Sequence, residues 1–335
     1  MKQKLIFLSF LIAAVTSINA QTKTGLHVTN TFHIAGTGGW DYLEVGPVHD
    51  WLYVSHGTQV NILNKKTGDS VGIIENTTGI HGIAFDVANG KGYTSNGRLN
   101  NVYVFDMNTN KVLATIATGQ NPDAIMYEPF SKKIITCNGR SKNLSIIDPQ
   151  QNKVIDSVDV AGKPETAVSD GAGKIFINNE DKNEIVVVDV TTFKVINRWS
   201  IAPGEGPTGL AYDAGTKRLF AACEKLLVVI DAANGKVIDK LTIGDGCDGV
   251  VFDANTKNIY TSNGEGNVTV IHEESADKFV VVENIITKKG ARTIAIDKAT
   301  GLLYLPTAEF DPKEMDQQGR PKMIPGTFQV LVIGK

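Results

Sequence analysis

The strongest constraint on the fold of this chain is a short sequence pattern that recurs about every 42 residues. Each copy is an alternating apolar run that ends in an acidic residue, as in residues 81–86 (HGIAFD) and 248–253 (DGVVFD). The closing acids are separated by 42, 42, 43, 40 and 44 residues and are Asp86, Glu128, Asp170, Asp213, Asp253 and Asp297. A degenerate first copy at residues 41–46 extends the series. A fixed period of this length predicts a fold built from repeated units.

Each repeat contains four predicted strands. After the closing acid, a turn rich in Gly, Asn and Lys leads to a second strand, such as residues 93–95 (YTS), and then to a third, such as 185–189 (IVVVD). Another turn and a fourth strand, such as residues 112–116 (VLATI), complete the unit. Short runs rich in Val, Ile, Tyr and Phe between turn residues are typical of strands. The sequence therefore predicts an all-β, seven-bladed β-propeller with four antiparallel strands per blade.

The two ends of the sequence favour a closed ring over an open solenoid. The last copy has three strands and stops at residues 330–333 (VLVI), while residues 27–34 (HVTNTFHI) offer the missing fourth strand. Pairing these segments would remove an exposed sheet edge. We therefore expect the N-terminal strand to close the last blade, and residues 21–335 to form one propeller domain.

The repeat resembles that of a known family. Residues 93–96 (YTSN), 186–189 (VVVD) and 109–112 (TNKV) have the pattern of the YVTN repeat, and the overall order is similar to that of the exported YncE-like β-propellers. The resemblance covers nearly all of the chain after residue 20 and implies the propeller fold. It implies little about activity, because a fold of this kind supports many functions.

The first twenty residues predict export. Lys2 and Lys4 precede an apolar run over residues 5–15, and a small and polar segment ends at Ala20. This pattern is typical of a cleavable secretory signal, and the run is too short to cross a bilayer. We expect a periplasmic or secreted protein, cleaved after Ala20, without a transmembrane segment in the mature chain.

The charge balance argues against nucleic acid as a partner. Without Lys2 and Lys4 the chain has 31 basic and 36 acidic residues, a net charge of −5. An acidic chain with no basic stripe is poorly suited to bind nucleic acid or anionic lipid. The remaining partner classes are a small polar molecule, a metal ion or another exported protein, and we expect a monomer. The three cysteines do not form a disulfide framework, but a bond between Cys223 and Cys247 is compatible with an oxidising compartment.

Two columns of polar residues converge on one end of the predicted channel, which we call the polar mouth. In a propeller, the start of the first strand and the end of the second strand lie at the same mouth. The first column contains Asp41, His81, Asp123, Glu165, Thr208, Asp248 and Arg292. The second contains His56, Asn96, Asn138, Asn179, Cys223, Asn263 and Thr307. Four carboxylates directed at one channel repel each other unless a cationic group balances them. Arg292 is one such group, and a bound metal or a cationic or sugar-like ligand is another, so the sequence predicts a ligand site here.

A divalent metal ion is one ligand that fits this predicted site. The candidate metal ligands are His56, His81, Asp41 and Asp123. Oxygen-rich surroundings favour Ca²⁺, Mg²⁺ or Mn²⁺, whereas two imidazoles favour Zn²⁺ or another transition ion. Asparagine at a strand end has a structural alternative, because its side chain often bonds the nearby backbone.

Two further features lie at the polar mouth by topology. Arg98 and Arg140 each follow Asn-Gly in a link between the second and third strands, where a guanidinium could bind a carboxylate or phosphate. The last blade inserts residues 309–326, beginning with Glu309, between its second and third strands. A link this long is uncommon and often functional, so we expect it to cover the channel.

Three functions remain open from the sequence. The first is a binding or scaffold protein that holds a small polar ligand, a metal or a partner at the polar mouth. The second is a metal-dependent hydrolase, because the mixture of Asp, Glu and Asn resembles the metal site of lactonase-type propellers, which however have six blades. The third is binding of single-stranded DNA, as the YncE-like resemblance suggests, although the net negative charge opposes it.

Overall fold

The computed structural model describes residues 23–315, 319 and 321–335, so the predicted secretory signal lies outside the described residues. The strands of this part form seven four-stranded antiparallel sheets and one two-stranded hairpin. The prediction of an all-β, seven-bladed propeller is confirmed. No helix among these residues is long and apolar enough to cross a membrane.

The first strand of the chain, β1 (His27–His33), belongs to the last blade. Blade 1 consists of β2 (Leu43–Val45), β3 (Trp51–His56), β4 (Gln59–Asn64) and β5 (Ser70–Ile74). Blade 2 consists of β6 (Ile80–Asp86), β7 (Lys91–Asn96), β8 (Asn101–Asp106) and β9 (Val112–Ala117). Blade 3 consists of β10 (Pro122–Glu128), β11 (Lys133–Asn138), β12 (Asn143–Asp148) and β13 (Lys153–Asp159).

The next three blades repeat the same order. Blade 4 consists of β14 (Pro164–Ser169), β15 (Lys174–Asn179), β16 (Glu184–Asp189) and β17 (Lys194–Ser200). Blade 5 consists of β18 (Gly209–Asp213), β19 (Arg218–Cys223), β20 (Leu226–Asp231) and β21 (Val237–Thr242). Blade 6 consists of β22 (Cys247–Asp253), β23 (Asn258–Asn263), β24 (Asn267–Ser275) and β25 (Lys278–Ile286). Short 3₁₀ helices occur at Val87–Asn89, Gly97–Leu99 and Glu180–Lys182.

Blade 7 joins the two ends of the described chain. Its strands are β26 (Ala295–Ile296), β27 (Leu303–Thr307), β30 (Gln329–Gly334) and β1. Strand β1 pairs antiparallel with β30, with His27 opposite Gly334 and His33 opposite Gln329. The predicted closure of the last blade by the N-terminal strand is therefore confirmed. The inserted segment forms a hairpin of β28 (Phe310–Met315) and β29 (Pro321–Met323).

The hydrophobic core lies between the blades. Seven clusters of buried apolar side chains each draw on two neighbouring blades, and together they run once around the ring. Side chains alternate between the two faces of each strand, so each sheet carries apolar side chains on both faces. Each face is covered by the neighbouring blade. Phe220, for example, is fully buried against Phe252 and Phe279 of the next blade. Burying such a side chain contributes about 1.5–3 kcal/mol.

The closing acids that mark the repeat are structural. Buried Asp213 accepts hydrogen bonds from the Gly215 amide (2.8 Å) and the Thr216 hydroxyl (2.6 Å). Asp253 binds the Thr256 hydroxyl in the same way, at 2.7 Å. Each carboxylate thus fixes the turn that follows its strand, which explains why an acid recurs at this position.

The three cysteines are free and buried. Cys137, Cys223 and Cys247 each pack in a different cluster of the core. The structure therefore contains no bond between Cys223 and Cys247, and these thiols act as small apolar side chains.

Candidate functional site

Three side chains of the first column meet at the polar mouth. The Nδ1 atom of His81 lies 2.5 Å from Oδ2 of Asp41 and 3.5 Å from Oδ1 of Asp123. Their ligand atoms all lie within 4.8 Å of one another, close enough to hold one metal ion. The three residues come from the starts of three successive blades, so the packing of neighbouring blades around the axis brings them together. We call Asp41, His81 and Asp123 the acid–imidazole cluster.

Asp123 is the most buried member of this cluster, with 6% of its surface exposed. Its Oδ1 atom has no hydrogen-bond partner among the described residues. Burial, followed by the charge of Asp41, raises the pKa of Asp123 to about 7, against the opposing effect of His81. A buried carboxylate oxygen without a donor is costly, so this atom marks a place where a positively charged group would be stabilised.

The charge of His81 partly offsets the negative charges of Asp41 and Asp123. Burial alone would lower its pKa, but the hydrogen bond to Asp41 and the charges of Asp123 and Asp41 raise the pKa of His81 to about 9. At neutral pH the imidazole is therefore protonated and donates to Asp41. The sequence predicts that Arg292 or a bound ligand balances these acids, and the structure adds a proton on His81 that does part of this.

The other two carboxylates of the column have cationic partners of their own. Glu165 lies 3.1 Å from Nζ of Lys163, and Asp248 forms an ion pair with Arg292. Burial and the charge of Asp123 raise the pKa of Glu165 to about 9. Burial raises the pKa of Asp248 to about 6, although Arg292 acts in the opposite direction. Lys163 and Arg292 thus offset part of the charge of these two acids, but Oε2 of Glu165, like Oδ1 of Asp123, has no hydrogen-bond partner among the described residues.

A tyrosine that the sequence analysis missed crosses the channel. The Tyr42 hydroxyl, from the start of blade 1, lies 3.4 Å from the Thr166 hydroxyl of blade 4. Burial and the charges of Asp123 and Glu165 hold the pKa of Tyr42 well above its ordinary value. The sequence contains a signal for this tyrosine, because the residues at the equivalent position of the other six blades are all small. They are Gly82, Ala124, Thr166, Gly209, Gly249 and Thr293.

The small residues of this position have a steric reason. A Cβ atom added to Gly209 would lie 2.8 Å from the backbone nitrogen of Val250 in the next blade. A Cβ atom on Gly249 would lie 3.0 Å from Cα of Thr293. The first strands therefore approach each other most closely here, and the Tyr42 side chain occupies the narrow part of the channel.

The asparagines of the second column are buried and bonded within their own blades, and Asn179 also bonds the link that precedes its blade. Asn96 donates to Asn101 at 2.9 Å, and Asn138 donates to Asn143 at 3.0 Å. Asn179 donates to the Val160 carbonyl (3.0 Å) and Glu184 (2.8 Å), and Asn263 donates to Asn267 (2.7 Å) and Thr269 (2.9 Å). All four are fully buried. The side-chain amides of these four asparagines thus bond the links between strands, and none of them belongs to the acid–imidazole cluster.

His56 occupies the same structural position in blade 1. Its Nδ1 atom lies 3.1 Å from Oδ1 of Asn61, and its ring packs on Phe328 with centroids 4.3 Å apart. Burial lowers the pKa of His56, so the ring is neutral at pH 7. Of the four predicted metal ligands, the structure brings together Asp41, His81 and Asp123 and leaves His56 apart from them.

Arg98 and Arg140 line a cavity above the cluster. This cavity has a volume of about 550 Å³ and also contacts Asp41, His81 and Arg292. Both Arg98 and Arg140 are exposed. The ion pairs of arginine among the described residues involve Arg198, Arg218 and Arg292, and neither of these two.

The inserted hairpin borders the same mouth. Phe310 packs against Trp40, with ring centroids 6.0 Å apart, and Trp40 stacks on Phe328 at 5.4 Å. Phe310 and Pro321 line two further cavities, of about 660 and 400 Å³, which both reach Arg292. Glu309, at the base of the hairpin, is exposed and forms an ion pair with Lys288. The insertion therefore covers one side of the polar mouth, and Glu309 is not one of the residues of the acid–imidazole cluster.

Comparisons with known proteins identify the fold and no narrower group. No model of a protein family matches the chain, and no curated protein matches it. Among many solved structures with a similar fold is the hydrazine synthase of Kuenenia stuttgartiensis, with a TM-score of 0.71 and 15% identity. The match covers 82% of this chain and 94% of that chain. At this identity the likeness shows a shared β-propeller fold, and membership of the YVTN-repeat family stays a prediction.

Proposed function

We propose that this chain is a binding protein whose polar mouth takes up a small polar ligand, with a divalent metal ion held by Asp41, His81 and Asp123. The observation that carries the proposal is the Oδ1 atom of Asp123. It is buried, it has no hydrogen-bond donor among the described residues, and it lies beside two other potential metal ligands. A divalent cation would satisfy this oxygen and both acids at once.

The ligand set favours a transition ion. Two carboxylates and one imidazole suit Mn²⁺ or Zn²⁺ better than Ca²⁺, which prefers a shell of oxygen atoms alone. The cluster supplies three ligand atoms, so water or a group of the bound molecule would complete the coordination from the cavity above. Metal and proton would compete for Nδ1 of His81, because a ligating imidazole must be neutral.

Metal titration of the purified, tag-free chain tests this proposal. Isothermal calorimetry should show one saturable site for Mn²⁺ or Zn²⁺ and weaker binding of Ca²⁺. Asp123→Asn or His81→Gln should weaken the site at least about tenfold. Asp245→Asn is the matched control for Asp123→Asn. Asp245 is an exposed acid paired with Lys225, and its substitution removes the same negative charge. Absence of saturable binding, or an equal loss in the control, would contradict the proposal.

A metal-dependent hydrolase is the second candidate. The specific observation in its favour is that the cluster offers only three ligand atoms next to an open cavity, and catalytic metal sites keep a position for water. Turnover of simple lactones or phosphoesters by the Mn²⁺- or Zn²⁺-loaded chain, lost in His81→Gln, would support this function. Metal binding without turnover would support the binding function and contradict the hydrolase function.

We further propose that this binding takes place in the periplasm or outside the cell. The support is the secretory pattern of residues 1–20 and the resemblance of the repeats to the exported YncE-like proteins. Fractionation of expressing cells, with the N-terminal residue of the mature chain determined by sequencing, tests this location. Recovery from the cytoplasm with an intact N-terminus would contradict it.

A further inference from the structure

We propose that Arg98 and Arg140 form an oxyanion clamp at the rim of the polar mouth, so that the ligand carries a carboxylate or phosphate group. This inference rests on the proposed function for the place of the ligand and adds its chemical class. Guanidinium groups bind planar or tetrahedral oxyanions through paired, charge-assisted hydrogen bonds.

The two arginines are placed equivalently in neighbouring blades. Each follows Asn-Gly directly after a second strand, β7 for Arg98 and β11 for Arg140. Asn121 lies between their links, since its amide group is close to both Gly97 and Gly139. The ring symmetry therefore presents two guanidinium groups and one side-chain amide to the same cavity.

The links that carry these arginines are held by buried hydrogen bonds. The Asn96–Asn101 and Asn138–Asn143 bonds join the two ends of each link. The aliphatic part of Arg98 also lies on Gly79, where an added Cβ atom would be 2.6 Å from Cγ of the arginine. A clamp with a fixed base loses less conformational entropy when it binds an anion.

The charges nearby leave the arginines available. Asp41, the acid that lines the cavity, is bonded to His81, and Asp248 is paired with Arg292. Arg98 and Arg140 have no ion pair within the described part of the chain. Two unpaired cations on one cavity of an acidic protein repel each other, and an anion between them would remove that repulsion.

The residues that line the cavity therefore carry both signs of charge. The acid–imidazole cluster offers a place for a cation, and the two arginines offer a place for an oxyanion. A volume of about 550 Å³ suits a small molecule rather than a polymer. The ligand class that fits is a small carboxylate or phosphate compound whose anionic group is held at the rim.

Calorimetric titration of the metal-free chain with malonate and with inorganic phosphate, at low ionic strength, tests the clamp. We expect wild type to bind one of these anions saturably, and Arg98→Gln and Arg140→Gln each to weaken binding about tenfold or more. Arg198→Gln is the control. Arg198 lies on the outer strand β17, where it pairs with Glu184 of β16, and this substitution changes the net charge by the same amount. Preference for malonate identifies a carboxylate ligand, and preference for phosphate identifies a phosphate ligand.

The outcomes separate this inference from the proposed metal site. Anion binding that depends on Arg98 and Arg140 supports the clamp even when Mn²⁺ and Zn²⁺ fail to bind, in which case only the metal proposal fails. Equal anion affinity in wild type and in the double variant overturns the clamp, even if the metal binds. An equal loss in Arg198→Gln also overturns it, because net charge alone would then account for the effect.

Discussion

Nδ1 of His81 lies 2.5 Å from Oδ2 of Asp41, and this contact links the innermost strands of two neighbouring blades. The pKa of His81 is raised from 6.5 to about 9, since the stabilising effect of Asp41 and Asp123 on the charged imidazolium exceeds the cost of its burial. The proton on His81 is therefore part of the structure of the polar mouth. Its titration has consequences for both stability and metal binding.

The first consequence is a loss of stability at alkaline pH. A group whose pKa is higher in the folded chain stabilises the fold fully below its unfolded pKa, and this contribution disappears as the pH rises through the folded value. For His81 the loss falls between about pH 6.5 and pH 9 and is at most about 3 kcal/mol. Urea unfolding at pH 6, 7.5 and 9.5 measures it. His81→Gln should show a flatter profile, and an unchanged slope would exclude His81 as the source.

The second consequence concerns the pH dependence of metal affinity. A metal ion that binds Nδ1 of His81 must displace its proton, so the affinity for Mn²⁺ or Zn²⁺ should increase with pH up to about 9. We expect an increase of about tenfold per pH unit between pH 7 and pH 8 and a steeper increase below pH 7, where Asp123 with its pKa of about 7 must also lose a proton. Calorimetry in two buffers counts the released protons. Binding that releases no proton would show that the ion is held without His81.

The thiols should be inert in the native protein. All three cysteines are buried, and burial raises the pKa of Cys223 and Cys247 to about 12. A thiol that stays protonated is a poor nucleophile. Ellman's reagent should therefore label almost none of the three in the folded chain and all of them in guanidinium chloride. Fast labelling of one thiol without denaturant would reveal an opening of the core that the structure does not contain.

The buried asparagines should matter for stability and little for ligand binding. Asn263→Ala removes a fully buried side-chain amide and its bonds to Asn267 and Thr269 in blade 6. We expect a loss of about 1–3 kcal/mol in the free energy of unfolding, with the metal affinity unchanged. Denaturant titration and calorimetry on the same variant separate the two effects. A large loss of metal affinity with normal stability would place Asn263 in the ligand site instead.

The fold was predictable because the repeat is a local property of the sequence. The closing acids, such as Asp213, fix their own turns, so their spacing gives the number of blades directly. The residues that form the site were harder to predict from the sequence. A polar side chain at each position either bonds within its own blade or faces the site, and this depends on where the side chain points. Asn96 and Asp123 occupy comparable positions in the two columns, yet one bonds within its own blade and the other faces the cluster.

Tyr42 shows a different limit of sequence reasoning. The repeat places it in the correct register, but its contact with Thr166 spans the ring, and a comparison of consecutive repeats contains no information on partners across the channel. Lys163 shows a local limit instead, because its pairing with Glu165 and Glu180 depends on how the link before β14 turns. The contact of Tyr42 with Thr166, in contrast, needed the closed ring before it could be identified.

A pair of equivalent glycines offers the sharpest local test of the site. A Cβ atom at Gly97 would lie 2.6 Å from Nε2 of His81 and 2.8 Å from Oδ1 of Asn121. At the equivalent Gly139 of the next blade, the nearest side-chain atoms are 3.6 Å away, which is ordinary contact. Gly97→Ala should therefore push the His81 ring out of position, whereas Gly139→Ala should leave it in place.

We expect Gly97→Ala to weaken metal binding at least about tenfold, because a small displacement of a ligand is enough to disturb coordination. It should also move the imidazole titration of His81, followed by NMR, towards the ordinary histidine value, since the bond to Asp41 would lengthen. Gly139→Ala should bind metal like wild type and keep the titration of His81 unchanged. If both variants behave alike, the position of His81 does not control the site, and the acid–imidazole cluster is a structural ion pair.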